Sequence, residues 1–187
     1  MGNKLIQKLE TTIPGCYELQ PIIHKDARGC FVKFFHQTTF LEIGLPTDYK
    51  EEYYSISTKG VVRGLHFQIP PYDQDKIVFC PEGKVMDVAV DIRAGSPTYG
   101  KYYSFILDSN KGNMAFLPKG LAHGFCVLSE SALMLYKVTS EYAPMYDMGI
   151  LWNSAGIPWP VKKPILSRRD QDFVTLSQFE SPFYYEK

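Results

Sequence analysis

The 187-residue sequence has no surplus of either charge: Lys and Arg together number 20, and so do Asp and Glu. Proteins that grip nucleic acid through its phosphates usually show a basic excess, so that class is set aside. No apolar run comes near the roughly 18 residues of a membrane span. The opening Met1-Gly2-Asn3-Lys4-Leu5-Ile6 has no apolar signal core, and Ile6 stands where a myristoylation motif needs Ser or Thr. A cytoplasmic protein is therefore expected. The four cysteines, Cys16, Cys30, Cys80 and Cys126, form no CxxC pair and read as reduced, mostly buried thiols. Repeats, low-complexity tracts and linkers are also missing. One domain over residues 1–187 is the expectation, since domains run about 100–200 residues. Helical periodicity is weak and confined to Phe40–Ile43 and the first ten residues.

What is present is strand and turn chemistry. Aromatics make up 14%, with 13 Tyr and 12 Phe, and 14 Gly and 13 Pro punctuate the chain throughout. Hydrophobic residues at 45% can bury a sizeable core. In Lys84–Ile92, Met86, Val88, Val90 and Ile92 share one face, and Val85, Asp87, Ala89 and Asp91 the other. Two carboxylates on one strand face mean that this face is wet or lines a polar cavity. Further strands are predicted at Gly29–Phe35, Tyr53–Ser57, Val61–Gln68, Lys76–Cys80, Tyr102–Leu107, Asn113–Leu117, Gly124–Leu128 and Leu133–Val138. So many short strands point to an all-β jelly roll or barrel with a few short helices.

Histidine is scarce: His24, His36, His66 and His123. The first two read as structural. On a strand, His66 shares its parity with Gly64 and Gln68, opposite Arg63 and Phe67, which leaves open space beside the ring. His123 lies in Pro118-Lys119-Gly120-Leu121-Ala122-His123-Gly124-Phe125, read as a Gly-flanked turn entering a strand. A metal site in a jelly roll wants a cluster such as His-x-His with a nearby Glu and a later His. Here Gln68 occupies the second position and no Glu follows in the next dozen residues, so no metal is expected.

Several segments together resemble the nucleotide-sugar 3,5-epimerase family, of which the dTDP-4-dehydrorhamnose enzymes are the best known. They include Asp26-Ala27-Arg28-Gly29-Cys30-Phe31, Arg63-Gly64-Leu65-His66-Phe67-Gln68, Lys84–Arg93, Ala122-His123-Gly124-Phe125, Tyr136-Lys137, Tyr142, Trp159-Pro160 and Ser167-Arg168-Arg169-Asp170. The resemblance implies a metal-free and cofactor-free cupin-type jelly roll. It further implies a homodimer that exchanges N-terminal strands, and a nucleoside-diphosphate sugar as substrate. Epimerisation beside a ketone needs a base on one face of the ring, an acid on the other, and a group to hold the enolate oxygen. By resemblance His66 is the base, Asp170 its partner and Tyr136 the acid. Lys76 is placed near the 4-keto oxygen, with His123 and its partner Asp87 in the same region. For the nucleotide, Arg63 matches a phosphate ligand, Arg28 an arginine often supplied by the neighbouring subunit, and Phe31 and Tyr142 the aromatics that sandwich the base. Gln68 and Glu51 complete the expected binding positions.

Departures from the family cluster around the nucleotide. Glu51-Glu52-Tyr53-Tyr54-Ser55 stands where members using dTDP commonly have Gln-Asp-Asn-x-Ser, and Lys33 where they commonly carry Glu. A carboxylate there can accept from thymine N3–H, whereas an ammonium only donates. The expectation is a base with free acceptors, guanine or cytosine rather than thymine. Ser154 replaces the Asp common after Trp-Asn. The sugar is expected to be a 4-keto-6-deoxyhexose or heptose of capsule or lipopolysaccharide synthesis. Inversion at C3 and C5 is the first reading. The alternatives are inversion at C3 alone, a 3,4-ketoisomerase on the same fold, and a non-catalytic sugar-binding jelly roll.

Overall fold

The protein is described from a computed structural model that covers residues 5–186. The leader reading of Met1–Lys4 lies outside the described residues. One antiparallel sheet has six strands in the order β1 (Ile6–Glu10), β2 (Tyr17–Pro21), β10 (Met114–Leu117), β7 (Lys76–Glu82), β12 (Ser131–Val138) and β5 (Glu51–Thr58). The other has five, in the order β13 (Asp147–Gly149), β6 (Val62–Gln68), β11 (Leu121–Val127), β8 (Lys84–Asp91) and β9 (Tyr102–Asp108). From β5 onward the chain shuttles repeatedly between the two sheets, as in a double-sheet jelly roll. A hairpin of β3 (Ile23–Asp26) and β4 (Gly29–Val32) belongs to neither sheet and is largely exposed. No helix among the described residues is long and apolar enough to cross a membrane.

The helical period read into the first ten residues is overturned, because Ile6–Glu10 pairs with β2 over five residues. Only Ile6 of β1 is fully buried, and it packs under the sheet. The period at Phe40–Ile43 does mark a helix, α1 (Gln37–Glu42). His36 is its N-cap, with Nδ1 accepting from the Thr39 N–H, which is the structural role read for it.

Three apolar layers explain why strict alternation is rare here. Val78, Val85, Ala89, Phe105, Phe125 and Met134 fill the space between the sheets. Leu65, Phe67, Val88 and Val90 pack outward against Ile150, Ile157 and Phe183 of the C-terminal segment. Ile77, Phe79 and Met114 pack against Phe40 of α1. Each fully buried Phe, Leu or Ile contributes about 1.5–3 kcal/mol. Both sheets are therefore covered on both faces in part. The carboxylate face of β8 is not wet: it is the inner one, and Asp87 and Asp91 are both wholly buried. Asp91 accepts from Arg93 Nε at 2.9 Å, Ser96 Oγ at 2.6 Å and Thr98 Oγ1 at 2.6 Å, so it is spent on local structure. Asp87 instead bonds His123, which lines a cavity.

Ser154 has a definite task. Its hydroxyl donates to the Leu151 carbonyl at 2.7 Å and accepts from the Leu176 N–H at 2.9 Å, pinning the C-terminal segment. Three of the four cysteines are buried, all four are free, and Cys30 is exposed on the hairpin.

Candidate active site

A cavity of about 320 Å³ opens between the sheets. His66 and Arg63 line it from β6, His123 from β11, Lys76 from β7, Tyr136 from β12, and Tyr53 and Ser55 from β5. His66 and His123 are direct cross-strand partners. Between them and Arg63 the register slips: His123 faces His66, but Phe125 faces Arg63, so β6 carries one extra residue. This bulge overturns the simple parity, because Arg63 and His66, three residues apart, both reach the cavity. The bulge explains the glycines on either side. Gly64 has φ +121°, and a Cβ there would lie 2.6 Å from the Gly124 Cα. A Cβ on Gly124 would lie 2.7 Å from the Arg63 carbonyl oxygen. Two glycines thus let β6 and β11 approach closely enough to set the histidines side by side. His123 sits inside β11, which begins at Leu121, rather than in a turn.

The two histidines each hold a carboxylate. His66 Nε2 lies 2.8 Å from Asp170 Oδ1. Asp170 Oδ2 accepts from the Gly64 N–H at 3.1 Å, and its own N–H donates to Ser167 Oγ at the start of α2 (Arg168–Gln171). Burial by itself would raise the Asp170 carboxyl. The His66 ring, the Gly64 amide and Ser167 outweigh it and hold the group below the usual carboxylate range. An ionised Asp170 takes the Nε2–H, which leaves the lone pair on Nδ1. The His66 side chain is 31% exposed.

His123 Nε2 lies 2.7 Å from Asp87 Oδ2, and this pair is sealed, with side chains 6% and 0% exposed. Burial pushes the His123 ring down, against the pull of Asp87, with Lys76 and His66 adding to the fall. The ring is neutral at neutral pH, with its one N–H, on Nε2, given to Asp87. Asp87 Oδ1 has no hydrogen-bond partner among the described residues. Lys76 is buried, and its ammonium makes no ion pair or hydrogen bond among the described residues. Burial drives its pKa down to about 8, with Asp87 and Asp147 pulling the other way.

Tyr136 is 6% exposed, and its hydroxyl lies 3.4 Å from Ser55 Oγ. Burial first, then Tyr53 and Asp87, push its phenol well above the usual range, so it keeps its proton. His66 and Tyr136 project from different sheets, whose backbones pack about 10 Å apart.

Other expected positions differ. Gln68 lines the cavity, but its amide is spent on backbone: Nε2 donates to the Tyr72 and Glu141 carbonyls, and Oε1 accepts from the Ala143 N–H. Glu51 and Tyr142 form the rim, joined by a 2.7 Å bond from the Tyr142 N–H to Glu51 Oε2. Arg28, Phe31 and Lys33 are exposed and do not line the cavity of their own chain. Arg28 instead pairs with Asp26 on the hairpin. Asp147, Arg169, Tyr53 and Ser55 line the cavity and were missed as site residues. Arg169 adjoins Asp170 and pairs with Asp147 at 2.8 Å, so its neighbour was a usable signal. Asp147 begins a three-residue strand that periodicity does not reveal. Among the described residues no three His, Cys, Asp or Glu side chains converge as metal ligands.

A histidine and a tyrosine from different sheets line one cavity of a cupin-like jelly roll, and comparison with known proteins identifies the chain as an epimerase. Residues 10–178 match the family profile described as dTDP-4-dehydrorhamnose 3,5-epimerase, and the chain belongs to that family. It is similar to an enzyme of that name from Shigella flexneri, at 44% identity over 177 residues, 91% of this chain and 98% of the other. A dTDP-4-dehydrorhamnose 3-epimerase from Streptomyces niveus is 40% identical over 169 residues, 89% of this chain and 82% of the other. The solved structure of a dTDP-6-deoxy-D-glucose-3,5-epimerase from Legionella pneumophila, in complex with dTDP-4-keto-L-rhamnose, superposes with a TM-score of 0.93. It is 34% identical and covers 97% of this chain and 100% of the other.

Proposed function

We propose that the enzyme inverts C3 and C5 of a nucleoside-diphosphate 4-keto sugar through an enolate. His66 Nδ1 removes the carbon-bound proton, and the electron pair moves onto the C4 oxygen. The Lys76 ammonium, beside the neutral His123 ring, lies in the region where that charge develops. Tyr136 then delivers its proton to carbon from the opposite face, the ketone re-forms, and solvent restores both side chains. The observation that carries this reading is the pairing across one cavity of His66, held by an ionised Asp170, with a protonated Tyr136.

Arg63 and Arg169 hold the diphosphate, since planar guanidinium groups match its oxygens. Tyr142 offers one face to the base. A second copy of the chain supplies Arg28 and Phe31 from its exposed β3–β4 hairpin, which accounts for their distance from their own cavity. The working form is thus a homodimer that exchanges N-terminal segments. Two readings of the base each have an observation behind them. The relatives' names favour thymine. The donor-only Lys33, just after β4, favours guanine or cytosine. Inversion at C3 alone is the second reading of the reaction, favoured by the name of the Streptomyces niveus relative.

Incubation with dTDP-, GDP- and CDP-linked 4-keto-6-deoxyhexoses in deuterium oxide tests all of this by proton NMR. Label at C3 and C5 with inversion at both is expected. Label at C3 alone selects the mono-epimerase, a migrating ketone selects the ketoisomerase, and no label with any substrate overturns the reading.

A further inference from the structure

Tyr136 must address one face of the enolate, yet a phenol on a β-strand can swing about two side-chain torsions. What fixes it lies on the neighbouring edge strand. Tyr53 of β5 is the direct cross-strand partner of Tyr136 of β12. Their rings stack with centroids 4.6 Å apart and planes 14° from parallel. On β5 two residues further along, Ser55 reaches the Tyr136 hydroxyl. The His123 ring lies at 73° to the Tyr136 ring, with centroids 6.2 Å apart. The acid's ring is thus bounded by a parallel aromatic face, a hydroxyl and an imidazole.

We infer that Tyr53 is a positioning residue that clamps Tyr136 against the reacting face, and so sets how often an enolate is inverted rather than returned to its starting configuration. The inference rests on the roles proposed above for His66 and Tyr136. Once His66 has taken a proton, two outcomes compete. If Tyr136 is in place, it donates from the opposite face and the centre inverts. If Tyr136 has swung away, His66 exchanges its proton with solvent and returns a deuteron to the original face. Label then enters with retention. The second route uses neither Tyr136 nor Tyr53, so the ratio of inversion to exchange with retention reads the placement of Tyr136 and is blind to a general loss of active enzyme.

The test follows both quantities by proton NMR in deuterium oxide, on the 4-keto sugar that the intact enzyme turns over, for Tyr53→Ala, Tyr53→Asn and Tyr53→Phe. The Tm of each variant guards against a folding failure. The inversion-to-retention ratio is expected to fall about three- to tenfold in Tyr53→Ala and Tyr53→Asn, the factor one aromatic pair supplies. Tyr53→Phe, which keeps the ring, should restore it. A ratio unchanged in Tyr53→Asn overturns the inference, as does a fall in Tyr53→Phe equal to that in Tyr53→Asn. An unmutated enzyme that labels no keto sugar overturns the underlying function instead, and the inference with it.

Discussion

The molecule contains two His–Asp pairs, built on adjacent strands with the histidines directly opposite each other, and they differ almost only in burial. His66 is about one-third exposed and its carboxylate arrives from a distant helix. His123 is sealed, and its carboxylate comes from the neighbouring strand. In the sealed pair, burial works against the charged ring and keeps His123 neutral. Its one N–H is given to Asp87, and the ring is poorly placed to store a further proton. In the open pair, an ionised Asp170 stands ready to stabilise the imidazolium that forms when His66 takes one. The same two residue types thus give the pair proposed as base in one place and a fixed neutral ring on the strand beside it, by the desolvation rule that separates titratable groups elsewhere.

The sharpest way to break this contrast is to remove each ring in turn. His66→Ala should cut deuterium exchange about a thousandfold, within the range general base catalysis supplies, with nucleotide affinity by calorimetry nearly unchanged. His123→Ala should instead lower Tm, because it strands the buried Asp87. Equal activity losses without a Tm difference would erase the distinction.

Neutralising the carboxylates sharpens it next. Asp170→Asn should reduce exchange about a hundredfold through loss of ring orientation, with little change in Tm. Asp87→Asn should cost about 2–3 kcal/mol in urea unfolding, the scale of a charged buried hydrogen bond.

A smaller effect concerns pH. Lys76, pushed down to about 8, loses its proton as pH rises through that value, so the rate should fall on the alkaline side of about pH 8. Lys76→Arg should move that limb upward, since guanidinium keeps its charge. The unfolded lysine stays protonated to about 10.5. Unfolded chains therefore bind more protons between about 8 and 10.5, and this residue makes stability rise with pH in that window. An alkaline limb unmoved in Lys76→Arg would take Lys76 out of the reaction.

Much of this architecture was legible in the chain itself. The alternation in Lys84–Ile92 marked β8 and its carboxylate face, whereas the glycines beside His66 and His123 mark close strand approach rather than the open space read from them. Periodicity failed where another constraint governed. The bulge at Gly64 and Gly124 moved Arg63 onto the face of His66, which strict alternation forbids. β1 and β2 are short strands whose side chains are only partly buried, so their pattern is faint. The Asp170 that orients His66 lies 104 residues away in a four-residue helix, beyond the reach of any local rule. Family resemblance alone supplied it. Tyr53 was noticed as a departure but not as a cavity residue, because a cross-strand stack depends on register rather than on its own neighbours in sequence.

The account turns on an acid and a base working from opposite walls of one cavity. Tyr136→Phe, followed in deuterium oxide for label and configuration together, tests this most directly. Label should still enter, through His66, while inversion falls about a hundredfold or more. Inversion at the normal rate in that variant would contradict the account.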